Sequence, residues 1–263
     1  MNLVGLTDLT PFDIREIWRL AKSPPQAMRG TVGWSFEGNG IRTRTTFLQA
    51  FRDLGLSYSE LPNLLKTGER ARDLAGYLDP FYSIYVIRES NHQRLLDFAS
   101  ASRRPVVNAM SGEGHPCEVL TDAFYVDSTF GPLENTRICL WGPTTNVFKS
   151  WHELAAVFGF EIFHLCETSF HETKSHVLYR DVPDVEVDVL VTDGWPANYS
   201  NSDWSLTAEK LARLGNPRLL PTPPFSIGKE ICFDPTSYAR FVGYTQKELL
   251  LPVQRGILTH VGG

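Results

Sequence analysis

The chain has 263 residues, 42% of them hydrophobic and 21% charged, which is enough apolar material to bury a full core in one large or two medium domains. Its 25 Lys and Arg against 30 Asp and Glu give a formal charge of -5, so no general field draws it to nucleic acid or to an anionic membrane, and any basic site must be local. Four widely spaced cysteines, Cys117, Cys139, Cys166 and Cys232, form no CxxC pair and read as buried free thiols rather than metal ligands. We expect no metal, no cofactor, no membrane span and a cytoplasmic location, because no basic leader precedes an apolar run and nowhere do about 18 apolar residues follow one another.

In chain order, short apolar or β-branched runs alternate with longer amphipathic stretches. Strands are expected at residues 31–36, 82–87, 105–108, 136–141, 161–165 and 187–192. Helical spacing of apolar residues marks 45–54, 69–78, 92–100, 145–158 and 206–214. That alternation implies parallel strands with crossover helices, a doubly wound α/β architecture. Residues 217–224 (PRLLPTPP) read as a loop or a stiff strand exit. A domain break is expected within 122–136, and the last amphipathic stretch, 245–260, is expected to pack back across it.

The segment WSFEGNGIRTRTTF carries the first chemical signal. A strand ends at Phe36, a Gly-Asn-Gly turn follows, and a helix begins near Ile41. Gly38 and Gly40 permit backbone geometry other residues resist, and a helix N-terminus offers free N–H groups at the positive end of its dipole. Arg42 and Arg44 add fork-shaped donors suited to phosphate oxygens. A glycine turn with two arginines on a solvated face is the plainer reading of each part alone; the three features together point to an anion site.

FEGNGIRTRTTF also resembles the F-E-x-x-S-T-R-T-R-x-S-F carbamoyl-phosphate signature of the aspartate/ornithine carbamoyltransferase family. Later segments resemble the family in order: KTGERARDL its K-G-E-S-x-x-D-T loop, YVIRES the strand ending in a substrate arginine, and NAMSGEGHPCEVLTDAF the stretch whose histidine touches the carbamoyl oxygen. WGPTTNVFKS and DVLVTDGW resemble G-D-x-x-N-N-x-x-x-S and D-V-I-Y-T-D-V-W of the ornithine branch. The resemblance implies two doubly wound parallel-sheet domains joined by interdomain helices. It divides the chain into a carbamoyl-phosphate-type domain (1–125), an acceptor-binding domain (126–245) and a C-terminal helix (246–263). It implies Arg42, Arg88 and His115 as catalytic residues, Gly40, Ile41, Arg42 and Thr43 as phosphate ligands, and Asn146 and Asp193 as acceptor ligands. It further implies Lys66 as a contributor to a neighbouring subunit's site in a homotrimer, with carbamoyl phosphate and an amine or amino acid as small-molecule substrates.

The departures fall on the carbamoyl side. Gly40 and Ile41 stand where the family has Ser and Thr, and Glu118 stands where it has Gln. Leu219 occupies the position of the ornithine branch's cysteine, and Leu250 that of an arginine expected at the carbamoyl oxygen. Arg218 is a candidate to compensate for the missing arginine. Ala197 and Asn198 replace Ser-Met in the acceptor loop, and residues 166–186 lack the family's usual helix. Three functions fit this pattern: transfer of a carbamoyl or related acyl group to an amine; the same fold with changed chemistry (hydrolysis, cyclisation or another group transfer) using Glu118 as a general base; and a non-catalytic anion-binding pseudoenzyme.

Overall fold

A computed structural model describes all 263 residues, and the chain divides into two compact units, Met1–Phe124 with Leu249–Gly263, and Tyr125–Glu248. Each is an α/β layer structure around one parallel sheet.

In the first unit α1 (Pro11–Lys22) precedes β1 (Thr31–Phe36), α2 (Ile41–Asp53), β2 (Ser57–Glu60), α3 (Ala71–Leu78), β3 (Ile84–Glu89), α4 (His92–Ala101), β4 (Val106–Ser111) and the start of α5 (Pro116–Phe130). The sheet runs β2-β1-β3-β4, with every pairing parallel. Helices cover both faces of such a sheet, which is why β3 and β4 are buried along nearly their whole length instead of alternating in and out. Trp34 on β1 packs its ring against Phe47 and Phe51 of α2, with centroids 5.8 and 5.5 Å away, and this anchors the helix that follows the anion turn. The last helix, α9 (Leu250–Gly262), returns to this unit, where Arg255 pairs with Asp53 at 3.0 Å and His260 meets Asp13 at 3.1 Å.

The second unit holds β5 (Ile138–Trp141), α6 (Asn146–Phe158), β6 (Ile162–Leu165), β7 (Val177–Arg180), β8 (Val189–Thr192), α7 (Ala208–Arg213), β9 (Arg218–Pro221) and α8 (Gly243–Lys247). Its sheet order is β7-β6-β5-β8-β9, again all parallel. Between β6 and β8 the chain makes a 3-10 turn at Thr168–Phe170 and the edge strand β7, with no α-helix.

Both sheets have a place where chain order reverses: between β1 and β3 in the first, and between β5 and β8 in the second. The loops leaving neighbouring strands part there in opposite directions and open a crevice beyond the strands' carboxyl ends. Two strands, β2 and β7, lie outside the expected set, and β9 falls within the stretch expected as a loop or a stiff strand exit.

Candidate functional site

At the first reversal, Phe36 of β1 pairs with Arg88 of β3, and Arg88 with Met110 of β4. The main chain closes the corner through the N–H of Glu37, which donates to the Arg88 carbonyl at 3.0 Å. Gly40 is the residue before α2 and supplies no side-chain cap, so the first-turn N–H groups, at Ile41, Arg42 and Thr43, have no acceptor within the helix. A Cβ on Gly40 would lie 2.7 Å from Arg88 Nη1 and 2.7 Å from the Phe36 ring. The absent side chain therefore makes room for the Arg88 guanidinium at the positive end of the helix. That guanidinium is 5.3 Å from the Phe36 ring centroid, and the Arg44 guanidinium is 4.9 Å from the same ring. Burial lowers the Arg88 pKa, opposed by the nearby Glu37 charge. Arg42 and Ile41 are exposed, Ile41 at 64%, while Thr43 is buried.

Lys66 is committed within its own chain: its Nζ lies 2.5 Å from Glu89 Oε1 and 3.2 Å from Glu37 Oε1. Glu89 raises the Lys66 pKa most, with Glu37 adding to it. Glu37 also accepts the Ser90 N–H at 2.6 Å, the largest cause of its lowered pKa. The ammonium thus pairs with both carboxylates flanking Arg88.

His115 follows β4, the strand beside Arg88, and is buried immediately before α5. The loop that delivers it is stiffened from within: Ser111 Oγ accepts the Gly114 N–H at 3.2 Å and meets His92 Nδ1 at 2.8 Å, while Asn108 Nδ2 donates to it at 3.1 Å. Sequence reasoning overlooked this support. Glu118, in the first turn of α5, is 4% exposed. Desolvation pushes the Cys117 thiol up to about 12, so it is not a nucleophile near neutral pH.

The second reversal brings Asn146 and Asp193 together through Thr145. Thr145 caps α6 by accepting the Phe148 N–H at 3.3 Å, and its side chain also hydrogen-bonds Asp193. Asp193 follows β8 and accepts the Gly194 N–H at 2.9 Å. Its surface is partly open but its surroundings are crowded, and desolvation raises its pKa to about 6, with hydrogen bonds from Thr145 and Gly194 opposing and Glu230 adding to the rise. Asn146 is the first residue of α6, with Oδ1 accepting the Val147 N–H at 3.0 Å. On the same strand-end side, Glu167 follows β6 and accepts from Tyr199 Oη and from Asn201 Nδ2, the latter at 2.8 Å. Ala197 and Asn198 are exposed in the intervening loop.

Arg218 is not brought to either reversal. It opens β9 opposite Val189, the first residue of β8, at the end of the sheet away from Asp193, and its guanidinium sits 4.0 Å from the Phe130 ring centroid. Parallel register explains the correction: Arg218 and Pro221 lie at opposite ends of one strand, and only the Pro221 end faces the crevice. Leu219 is wholly buried inside β9, and Leu250 is buried at the start of α9. Neither offers a polar group.

The family described as "Aspartate/ornithine carbamoyltransferase, carbamoyl-P binding domain" matches residues 2–128. A protein of Rhizobium johnstonii named ornithine carbamoyltransferase is 27% identical over 296 aligned positions, covering 98% of this chain and 96% of the relative. That alignment is longer than the chain, so the relative carries segments this chain lacks. Solved ornithine carbamoyltransferase structures from Burkholderia thailandensis and Thermus thermophilus superpose with a TM-score of 0.89 at 21% and 22% identity, each covering 99% of this chain and 98% of the other. At that identity the superpositions establish the shared fold.

Proposed function

Because the chain belongs to the aspartate/ornithine carbamoyltransferase family, a family of transferases, we propose that it moves a carbamoyl or closely related acyl group from a phosphate-bearing donor to an amine. The observation that carries this reading is the Arg88 guanidinium over Gly40 at the uncapped start of α2, where a phosphate oxygen finds backbone N–H groups, a helix dipole and a fixed cation together.

In the proposed reaction the amine nitrogen attacks the donor's carbonyl carbon. The oxygen becomes negative as the tetrahedral intermediate forms, and Arg88 and His115 supply the donors that stabilise it. The carbon–oxygen bond to phosphate then breaks, and the departing phosphate takes the proton the amine gives up. Arg42, Thr43 and the α2 N–H groups hold the phosphate together with Arg88, whose guanidinium reaches both the phosphate and the carbonyl oxygen. Asp193 and Asn146 orient the acceptor, Asp193 as acceptor for a positively charged nitrogen. No covalent intermediate is needed, so the buried Leu219 at the ornithine branch's cysteine position removes no nucleophile that this reaction requires.

Incubation with carbamoyl phosphate and a panel of primary amines, read as inorganic phosphate released, tests the reading. Release is expected only with a matching amine, and Arg88→Ala is expected to slow it by about 10²- to 10³-fold, the cost of one preorganised oxyanion donor. Amine-independent release, or an Arg88→Ala enzyme as fast as the parent, contradicts it.

A further inference from the structure

Around Asp193 the second unit buries polar side chains that the protein itself does not satisfy. Glu230 is 1% exposed; its Oε1 accepts the Ser226 N–H, and its Oε2 has no protein partner. Thr192 Oγ1, Thr222 Oγ1 and Trp195 Nε1 are likewise unpartnered, in residues 1%, 5% and 7% exposed. These groups belong to adjoining strand exits. Thr192 ends β8, Thr222 follows β9, and the Thr222 N–H donates to the Thr192 carbonyl at 2.7 Å. The loop from Thr222 to Glu230 folds against the residue after Asp193, since the Pro224 carbonyl lies 3.2 Å from where a Cβ on Gly194 would stand. Trp195 Nε1 is 2.9 Å from the corresponding point on Gly142, whose φ of 116° sets the turn leaving β5.

Folded proteins leave few buried polar atoms unpaired, because each orphan has given up its hydrogen bonds to water without a replacement. A buried carboxylate oxygen, two hydroxyls and an indole N–H gathered around adjoining strand exits match a ligand's seat better than a tolerated defect. A carboxylate oxygen only accepts, so the ligand must bring a donor, and a charged donor offsets the burial of the negative charge. Glu230 also adds its charge to Asp193, so the recess holds two acids that one cation would relieve together.

We propose that Glu230 is a second acceptor-recognising carboxylate, and that with Asp193 it selects acceptors whose recognition end is a primary ammonium. Three N–H donors then meet three acceptors: Asp193, Glu230 Oε2 and a threonine hydroxyl. The proposal rests on the reading of this edge as the acceptor site.

Calorimetry of the full chain with L-ornithine, L-lysine and 1,4-diaminobutane, with Nα,Nδ-diacetyl-L-ornithine, which carries no ammonium, as the blocked control, tests it. Glu230→Gln keeps a carbonyl oxygen for the Ser226 N–H, and retention of the parent's unfolding temperature checks that the loop stays folded. The variant is expected to bind the charged probes about tenfold or more weakly while inorganic phosphate binding is unchanged, and the acetylated probe is expected to bind poorly to the parent. Unaltered affinity in Glu230→Gln, equal binding of the acetylated probe, or no binding of any charged probe to the parent overturns the proposal. Charged probes that bind through Glu230 without phosphate release from carbamoyl phosphate would instead sink the transfer reading and leave this one standing.

Discussion

Gly40 illustrates how one missing side chain can change a site's chemistry. Judged from sequence, glycine at the family's serine position is only a lost hydroxyl. In the structure its place is taken by the Arg88 guanidinium, 2.7 Å from the point a Cβ would occupy. Putting serine back restores a potential helix cap but forces Arg88 and the Phe36 ring to move. We expect Gly40→Ser to bind inorganic phosphate about 10- to 100-fold more weakly than the parent, because a charge-assisted hydrogen bond contributes about 1.5–3 kcal/mol. Equal or tighter phosphate binding by calorimetry would mean that Arg88 does not hold the anion. The same reasoning explains why the arginine's placement was hidden in the sequence. YVIRES locates Arg88 at a strand end but cannot say that the turn leaving the partner strand puts Gly40, a residue with no side chain, where the guanidinium lies.

At the level of elements, legibility follows burial. β1 and β3 are apolar runs covered on both faces, and α4 and α6 carry regular apolar spacing behind polar caps, so pattern alone locates them. β2 (SYSE) and β7 (VLYR) are edge strands, β2 mostly exposed, with no alternation to read. β9 was masked by Pro217 and Pro221, which bracket it without interrupting its pairing with β8. α1 had a readable signal, Pro11 at its first position with a Thr10–Asp13 capping box, that apolar spacing alone did not exploit. The α6 cap joins structure to chemistry, because Thr145 serves both the Phe148 N–H and Asp193. Thr145→Val is therefore expected to cost about 1 kcal/mol of stability and also to raise the Asp193 pKa beyond about 6. Asp193 must be ionised to accept a hydrogen bond from an ammonium, so amine binding fades as pH falls through that pKa, and in Thr145→Val it should fade at higher pH. The stability trend has the opposite sense. The folded pKa lies above the ordinary 3.8, so Asp193 holds its proton more tightly when folded, and its contribution to stability diminishes as pH rises from about 3.8 through about 6. Thr145→Ser, which keeps the hydroxyl, should match the parent; calorimetric amine affinity against pH would expose a variant midpoint that does not move.

Across the whole molecule, the chain builds the first unit from both of its ends and the second from its middle. α9 is thus part of the first unit despite lying last in sequence, held there by Arg255 to Asp53 of α2 and His260 to Asp13 of α1. Division of labour has a thermodynamic signature. A ligand that binds only one unit stabilises that unit by RT ln(1 + [L]/Kd), about 2.7 kcal/mol at a hundredfold excess over Kd, which for a unit of this size raises its unfolding temperature by roughly 5–11 °C. Hydrogen exchange followed segment by segment separates the two. Inorganic phosphate should slow exchange in β1, the start of α2 and the end of β3, and through the shared unfolding of the first unit also in α9. The second sheet, β5 to β9, should respond instead to a primary amine. Protection by phosphate that reaches β8 and β9 as strongly as β1 would show that the anion is not held by the Gly40–Arg88 corner alone, and phosphate protection confined to the second unit would remove the anion site from α2 altogether.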